Sequence, residues 1–345
     1  MEVRSNAPSL ATVPLSVLDT SPIVSGSTAR TALRNTLDLA QLADRLGYHR
    51  YWVPEHHNMR GVASSAPSVL VGQLAAATER LRVGAGGVLL ANHAPIVVAE
   101  QFGTLEAFHP GRIDLGIGRA LGSDKRTADV LRGAAERRAK SFEDQLDELL
   151  AYLEPPEEHA VRAVPAVGNT PPVWLLGSGD HTARLAGSLG LPFAFAVHLN
   201  PAEASTALAT YRRSFRPSRE IREPTVLLSV AVIAADTDAR AHWLAGPSKR
   251  KFLGRGLGDR ILLPRPEEAA AYPYSDRERE FARDRFSGQA LGSPETVRHQ
   301  LASLLERTAA DELMLTTMVY DIEDRIRSFE LITEKVAGSL AKTGA

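Results

Sequence analysis

The sequence contains no cysteine among its 345 residues. Disulfide bonds, thiolate metal ligands and a cysteine nucleophile are therefore excluded, and a reducing compartment is favoured. An excess of one charge is also lacking, since 40 lysine and arginine residues oppose 41 aspartate and glutamate residues. This balance argues against a nucleic-acid or anionic-membrane surface. No apolar run could span a bilayer and no signal-peptide pattern is present, so we expect a cytoplasmic protein without nucleic-acid or membrane partners.

The chain instead alternates short apolar runs with longer segments of helical period. A helix that begins after the N-cap Thr28 and ends at Gly47 is typical of these segments, and 134–153 is predicted to be another. The predicted strands are 14–19, 50–53, 81–86, 113–118, 173–176, 193–197, 225–234 and 313–317. Strands and helices in this alternation favour a (β/α)8 TIM barrel over an open doubly wound sheet. We expect a single domain over 1–345.

One segment interrupts the alternation. Residues 246–292 are rich in glycine, proline and arginine, and no strand is predicted within them. They lie between the seventh and the eighth predicted strands. A long insertion at this place in a barrel is usually a lid or a disordered loop, and we interpret 246–292 in this way.

The loop after the fifth predicted strand gives the clearest indication of a binding site. The strand runs through Gly177-Ser178-Gly179 directly into a helix that carries Thr182. Glycines allow backbone N–H groups to approach an anion, and the helix N-terminus adds a partial positive charge. Arg119, in the neighbouring loop, would contact the same anion. The alternative is a tight turn in which Ser178 or Asp180 is an ordinary N-cap.

Glu55-His56-His57 follows the second predicted strand. Adjacent histidines on an extended segment point to opposite sides, and no His-Glu-x-x-His spacing occurs in the chain. We therefore expect no metal site. One histidine facing the barrel would serve as a proton-transfer or hydrogen-bonding group. Packing of the loop by both histidines is the alternative.

Two glycine patterns also require interpretation. Gly86-Gly87 indicates either a bulge with close backbone packing or a flat backbone surface beneath a planar ring. The spacing Gly116-x-Gly118-x-x-x-Gly122 approaches a dinucleotide fingerprint, but its last glycine is one position late and the required acidic residue is missing. We therefore reject a Rossmann fold.

An ordered set of short sequences carries a resemblance to a known family. The most specific of them is residues 83–95, with the sequence Val-Gly-Ala-Gly-Gly-Val-Leu-Leu-Ala-Asn-His-Ala-Pro. Together they resemble the luciferase-like monooxygenase family over nearly the whole chain. The other segments are 52–57, 99–119, 173–192, 292–295 and 311–313. Ser16-Val17-Leu18-Asp19 and the glycine pair indicate the bacterial branch with antibiotic-tailoring oxygenases.

The resemblance implies a cofactor and the residues that bind it. The cofactor would be FMN, used as FMNH2, and O2 would be activated as a flavin C4a-hydroperoxide that hydroxylates or epoxidises the substrate. Gly86-Gly87 would form a non-prolyl cis peptide under the isoalloxazine, and His56 would be the catalytic histidine. The phosphate would be bound by Arg119, the amide of Leu121, Ser178, Gly179 and Thr182.

Two positions depart from the pattern of luciferase. Gly118 stands where luciferase has a reactive cysteine, so we expect oxygenation without light. Ser178 stands where luciferase has a glutamate, which implies a less acidic phosphate site.

The resemblance also implies a substrate, partners and alternatives. We expect an apolar, aromatic or polyketide-like substrate, a homodimer and a separate NAD(P)H flavin reductase. The predicted pocket comprises Leu18, His57, Val62, Ala91, Phe195, His198 and the insertion 246–292. One alternative is F420-dependent hydride transfer, with the anionic tail bound by Arg126, Arg250, Lys251 and Arg255. The other is a non-catalytic flavin-binding protein.

Overall fold

A computed structural model describes residues 9–120, 125–132, 140–154, 161–256 and 261–338 of the chain. Eight parallel strands form a closed barrel in the order β1-β2-β3-β4-β5-β6-β7-β9, and β9 pairs with β1. The barrel strands are β1 (Leu15–Leu18), β2 (Arg50–Val53), β3 (Arg82–Leu89), β4 (Ile113–Gly118), β5 (Val173–Gly177), β6 (Phe193–Ala196), β7 (Val226–Ala234) and β9 (Glu312–Thr316). The predicted TIM barrel is confirmed, because every predicted strand is present within a few residues of its expected bounds.

Helices surround the barrel. They are α1 (Ala29–Leu46), α2 (Pro67–Ala76), α3 (Pro95–Phe108), α4 (Lys125–Arg132), α5 (Phe142–Leu153), α6 (Asp180–Leu189), α7 (Ala204–Ser214), α8 (Asp238–Gly256), α9 (Pro266–Ala271), α10 (Asp276–Arg285), α11 (Pro294–Thr308) and α12 (Ile322–Leu331). Among the described residues, no helix has the length and apolar character needed to cross a membrane.

Local capping explains where two of these helices begin. The Thr28 side chain accepts a hydrogen bond from the Thr31 amide at the start of α1, and Gly47 ends the helix at φ +80°, as predicted. Helix α5 begins after Ser141, which forms a capping box with Asp144. This start lies later than the expected residue 134, and 133–139 lie outside the described residues.

The strands are buried on both faces, so the core has two layers. Residues such as Leu15 and Val17 point outward and join the main core beneath the helices. A smaller cluster fills the barrel interior, where the Trp52 and Trp174 rings meet edge to face with centroids 5.6 Å apart. This cluster comprises Leu18, Trp52, Trp174, Leu176, Ala194, Leu227 and Met314. It forms an apolar floor below the carboxyl ends of the strands.

Charged side chains occupy the opposite, amino-terminal end of the barrel. The Arg50 guanidinium lies 2.8 Å from a carboxylate oxygen of Asp114 and 2.9 Å from one of Glu312. Arg82 reaches Asp114 at 2.6 Å, and the Trp52 indole donates to the same carboxylate at 3.0 Å. The buried charges of this group therefore compensate one another. Residues at the amino-terminal end of a barrel contribute to stability rather than to catalysis.

The insertion 246–292 differs from its sequence interpretation in two respects. It contains a strand, β8 (Ala290–Gly292), which pairs with the last residues of β7 outside the barrel, so the expectation of no strand is wrong. Three residues are too few to produce a recognisable alternation. The expected start of the insertion, residue 246, lies inside α8. The described part of the insertion is largely helical instead of an irregular loop.

Candidate active site at the carboxyl ends of the strands

The carboxyl-terminal ends of the parallel strands bring together most of the predicted site residues. His56 and His57 follow β2, Arg119 follows β4, and Ser178 to Thr182 follow β5. His198 follows β6 and binds Ser229 at the Oγ atom through Nδ1 at 2.8 Å. Catalytic residues of (β/α)8 barrels lie at this end. Leu121 lies outside the described residues.

The peptide bond between Gly86 and Gly87 is cis, as the resemblance implied. The pairing of β3 with β4 shifts register between Gly86 and Val88, which makes this place a bulge. A Cβ atom at Gly87 would lie 2.6 Å from the carbonyl oxygen of Gly116, and one at Gly86 would lie 3.0 Å from Leu18 and Trp52. Close packing against the backbone therefore already requires a glycine at 87, whereas a Cβ atom at Gly86 would press on two side chains.

Glu55 is the centre of a hydrogen-bonded cluster that sequence reasoning missed. Its carboxylate is 1% exposed and accepts from the Leu89 amide at 2.9 Å and from the Asn92 amide group at 3.1 Å. The Nε2 atoms of His57 and His93 lie 2.7 and 2.9 Å from its oxygens. Burial alone would raise the pKa of Glu55, but the hydrogen bond and charge of His93, the Leu89 amide and His57 together lower it. We name these five residues the Glu55 cluster.

A signal for this cluster was present in the sequence. Glu55 follows β2 and Asn92-His93 follows β3, and these strands are neighbours in the barrel. The polar residues after two adjacent parallel strands lie close together.

Within the described residues, no group of three or more histidine, aspartate or glutamate side chains could hold a metal ion.

The loop after β5 has the features of an anion site. Gly179 is the N-cap of α6 and provides no side-chain hydrogen bond to the helix. A Cβ atom at Gly179 would meet nothing within 4 Å. Asn200 holds the loop by donating to the Ser178 carbonyl at 2.9 Å. Neither the Ser178 nor the Thr182 hydroxyl has a partner among the described residues, so both are available to a ligand.

Arg119 lies beside this loop. Gly118 pairs with Leu176, so the residues that follow β4 and β5 are neighbours at the end of the barrel. The pKa of Glu143 is lowered first by its own backbone N–H, then by a hydrogen bond from His181, and also by the positive charge of Arg119. His181 belongs to the first turn of α6, and the exposed Arg119 follows β4, the strand next to the one that leads into this helix.

The predicted pocket residues occupy different places. Leu18 belongs to the interior cluster and Ala91 follows β3, each 8% exposed. Phe195 is fully buried in the outer core, where it packs against Phe193 with ring centroids 6.1 Å apart. Its neighbour Ala194 faces the interior instead. The Phe195 side chain thus lies between the barrel and the helices and faces away from the barrel interior.

The insertion contacts the loops that follow β1 and β2. The Ser25 amide donates to the Leu263 carbonyl at 2.8 Å, and the Lys251 ammonium donates to the Gly61 carbonyl at 3.3 Å. Arg250 stacks over Tyr272 with its guanidinium carbon 4.0 Å from the ring centre. The insertion therefore lies against the carboxyl-terminal side of the barrel.

This closed parallel barrel, with histidines, an arginine and an open helix N-terminus at its carboxyl-terminal end, has the architecture of a (β/α)8-barrel enzyme. The model of the luciferase-like monooxygenase family matches residues 14–312. The chain therefore belongs to the luciferase-like monooxygenase family, a family of enzymes, and the resemblance seen in the sequence is confirmed.

Individual relatives cover almost the whole chain. It is 45% identical over 322 residues to the luciferase-like monooxygenase of Escherichia coli (strain K12), covering 93% of this chain and 96% of that protein. It is 34% identical over 332 residues to the N-acetyl-S-alkylcysteine monooxygenase of Bacillus subtilis (strain 168), covering 94% and 98%. The crystal structure of apo-MsnO8 is 39% identical, with a TM-score of 0.87 and coverage of 94% and 98%.

More distant solved structures share the fold alone and bind two different cofactors. One is the oxygenating constituent of 3,6-diketocamphane monooxygenase from Pseudomonas putida in complex with FMN, at 22% identity and a TM-score of 0.72. The other is an F420-dependent secondary alcohol dehydrogenase in complex with an F420–acetone adduct, at 15% identity and a TM-score of 0.67. The fold is therefore compatible with either cofactor.

Proposed function

We propose that the protein is an FMNH2-dependent monooxygenase that transfers one oxygen atom of O2 to a small organic substrate. The other oxygen atom leaves as water, and the reduced flavin supplies the two electrons. The observation that carries this proposal is the open N-terminus of α6 after β5, because it offers a binding place for the FMN phosphate at the carboxyl-terminal end of the barrel.

The residues of this site fit a phosphate. The hydroxyls of Ser178 and Thr182, which have no partner in the described part of the chain, can donate, and the open space at Gly179 leaves room for phosphate oxygens against the N-terminus of α6. Arg119 provides the positive charge. We propose that Leu121 contributes its amide, in line with the family resemblance.

The flavin ring would lie over Gly86 and Gly87, above the apolar interior cluster. Gly118 leaves space beside it, because a Cβ atom there would lie 3.2 Å from the flexible Leu89 side chain and 3.9 Å from the Val88 carbonyl oxygen. The interior cluster, with Trp52 and Trp174, would exclude water from below. His56, which follows β2 and is half-buried, would move a proton between the substrate or flavin and solvent.

The substrate would bind beside the flavin against Leu18, Ala91, His57 and His198, with Val62 and the insertion on the outer side. We leave Phe195 out of this pocket because its side chain faces the helices. These surroundings favour a largely apolar molecule, such as an aromatic or polyketide-like compound, for hydroxylation or epoxidation. The relative named N-acetyl-S-alkylcysteine monooxygenase adds thioethers to the candidates.

The basic residues considered for an F420 tail provide few side chains that are available to bind it. Lys251 bonds to Gly61 and Arg250 stacks on Tyr272, so both side chains already have partners in the chain. Arg126 is exposed on α4, and the side chain of Arg255 lies outside the described residues. FMN is therefore the cofactor that we propose.

We also propose a homodimer and a separate NAD(P)H flavin reductase. Helices α2 and α3 expose Val69, Val97 and Phe108 at 70%, 40% and 76%, and no exposed position of either helix is charged. An exposed face of this composition is typical of contact with another chain. Sedimentation of the wild type and of Phe108→Glu tests this, since the variant should sediment as a monomer; equal sedimentation of both would contradict this interface.

Anaerobic titration with FMNH2, riboflavin and reduced F420 tests the cofactor. We expect FMNH2 to bind more tightly than riboflavin, which lacks the phosphate. Isotopically heavy O2 is then admitted with a panel of aromatic, polyketide and thioether compounds, and the label is sought in the product by mass spectrometry. Tight F420 binding without label incorporation would instead support the hydride-transfer alternative, and flavin binding without any turnover would support a binding protein.

A further inference from the structure

The Glu55 cluster has an unusual charge arrangement. Glu55 is 1% exposed, and no lysine or arginine in the described part of the chain forms an ion pair with it. A buried carboxylate without a positive partner is costly unless hydrogen bonds satisfy its oxygens. The four donors that surround Glu55 therefore require an explanation.

These donors match what an ionised carboxylate accepts. Its two oxygens offer about four lone-pair positions, and the Leu89 amide, the Asn92 amide group and two histidine Nε2 atoms occupy them at 2.7 to 3.1 Å. The lowered pKa of Glu55 agrees with this, because hydrogen bonding outweighs its burial. Glu55 is thus an acceptor toward every neighbour.

An acceptor at this position determines where the protons of both histidines lie. A neutral imidazole carries one N–H group, and its other nitrogen is an acceptor. Since the Nε2 atoms of His57 and His93 both face the carboxylate, each ring in its neutral form must carry its proton on Nε2. The Nδ1 atom of each neutral ring then keeps a lone pair that can accept a hydrogen bond.

The same reasoning orients Asn92. Its NH2 group must face Glu55, because the carboxylate cannot donate, so the Oδ1 atom points elsewhere. Asn92 is 9% exposed, and its Oδ1 atom has no hydrogen-bond partner among the described residues. A buried acceptor without a partner among the described residues is open to a donor such as a hydroxyl or N–H group of a ligand.

We propose that Glu55 is a positioning residue that fixes His57 and His93 as Nε2–H tautomers and so creates an acceptor subsite for a hydroxyl or N–H group of the substrate. Its candidate acceptors are the two Nδ1 atoms and the Asn92 Oδ1 atom, which belong to residues that follow β2 and β3. It is separate from the proton-transfer role of His56. The tautomers are independent of the proposed monooxygenase function, whereas the substrate role of the subsite rests on it.

Nitrogen NMR of the flavin-free protein tests the tautomers. Protein with ¹⁵N-labelled histidine is measured at about pH 9, above the ordinary titration range of histidine, and His57→Gln and His93→Gln assign the two signals. We expect the Nε2–H pattern for both residues. An Nδ1–H pattern for either one overturns the proposal, and this result needs no variant of Glu55.

Glu55→Gln tests whether the carboxylate imposes these tautomers. The amide group of the introduced glutamine cannot accept from all four donors, so at least one histidine should lose the Nε2–H pattern. Glu55→Asp keeps the carboxylate and should retain part of this pattern. Glu143→Gln is the matched control, because Glu143 also binds a histidine Nε2, that of His181, at 2.8 Å but on the surface. The control should leave His57 and His93 unchanged. Unchanged signals in a folded Glu55→Gln protein overturn the proposal.

The substrate role is measured separately from cofactor use. With a substrate from the panel that carries a hydroxyl or N–H group, Glu55→Gln should raise KM while the affinity for FMNH2 stays at the wild-type value. Equal KM values in the variant and the wild type would overturn the subsite. Failure of the wild type to bind FMNH2 would overturn the proposed function, and the NMR result would still decide the tautomers.

Discussion

Arg325 donates a hydrogen bond to Asp19 across 2.6 Å, and both side chains are almost fully buried. This ion pair connects the carboxyl end of β1 with α12, two elements at opposite ends of the chain. Tyr51 and Thr36 donate to the same carboxylate at 2.6 and 2.7 Å. The pair therefore links the first barrel strand to the last described α-helix, and its loss should lower the free energy of unfolding.

Asp19→Asn should lower the free energy of unfolding by about 3–5 kcal/mol, because it leaves the Arg325 charge buried without a counter-ion. Urea denaturation measures this. Asp236→Asn is the control, since Asp236 pairs with Arg327 on the surface and is 67% exposed. Its effect should stay within about 1 kcal/mol. Equal effects of the two substitutions would contradict the role of the buried pair.

The same pair predicts how stability depends on pH. Burial alone would raise the pKa of Asp19, but the Arg325 charge and the hydrogen bonds from Tyr51, Arg325 and Thr36 lower it below 3.8. A carboxyl group with a lower pKa in the folded state stabilises the fold above its unfolded pKa, and this contribution is lost as the pH falls through its folded pKa. Denaturation of the wild type at pH values below about 4 should show this loss, and Asp19→Asn should lack it.

Arg119→Ala should weaken FMN binding by about 1.5–3 kcal/mol, the usual value for a hydrogen bond to a charged group. Riboflavin binding should not change, because riboflavin has no phosphate. Arg184→Ala is the control, since Arg184 lies on the neighbouring helix α6 and pairs with Asp180 at 2.8 Å. Fluorescence titration measures all three proteins. An unchanged FMN affinity in Arg119→Ala would exclude Arg119 from the phosphate site.

Gly179→Ala should fold with wild-type stability but bind FMN less tightly. The backbone at Gly179 is extended, and its Cβ atom would enter open space that we assign to the phosphate. Gly177→Ala is the contrasting variant, because its Cβ atom would lie 2.7 Å from the Thr182 Cβ atom, and overpacking of this kind costs about 1–3 kcal/mol. Thermal denaturation and flavin titration separate the two effects. Full FMN affinity in Gly179→Ala would place the phosphate elsewhere.

His56→Ala should leave FMN binding largely intact and lower product formation by about 10²- to 10⁴-fold, the range for loss of an acid–base group. His299→Ala is the control, since its side chain is 78% exposed on α11. Product per oxidised flavin is measured for both proteins. Loss of flavin binding with normal turnover of the bound fraction would contradict proton transfer by His56.

The site was predictable from the sequence where position along a strand is sufficient. Arg119 and Ser178 follow directly after a strand and His56 lies three residues beyond the end of β2. Parallel strands of a barrel end on one face. Their association therefore required only the correct strand bounds. The Glu55 cluster required more, because neighbouring strand ends bring Glu55 and His93 close together but do not reveal which side chains bind each other.

The direction of side chains in the strands could not be read from the sequence. Barrel strands are buried on both faces, so apolar residues occur at successive positions and no alternation marks the interior. Phe195 and Ala194 illustrate this, since the larger side chain faces the helices and the smaller one faces the interior.

The sequence by itself determined the eight barrel strands, the caps of α1 and the loops that carry polar residues, because these depend on local periodicity and on residues close in the chain. Only the tertiary structure decided that Glu55 binds two histidines, that Arg325 pairs with Asp19 and that β8 pairs with β7. These contacts join distant segments, and their geometry follows from how the closed barrel positions each strand end relative to the next.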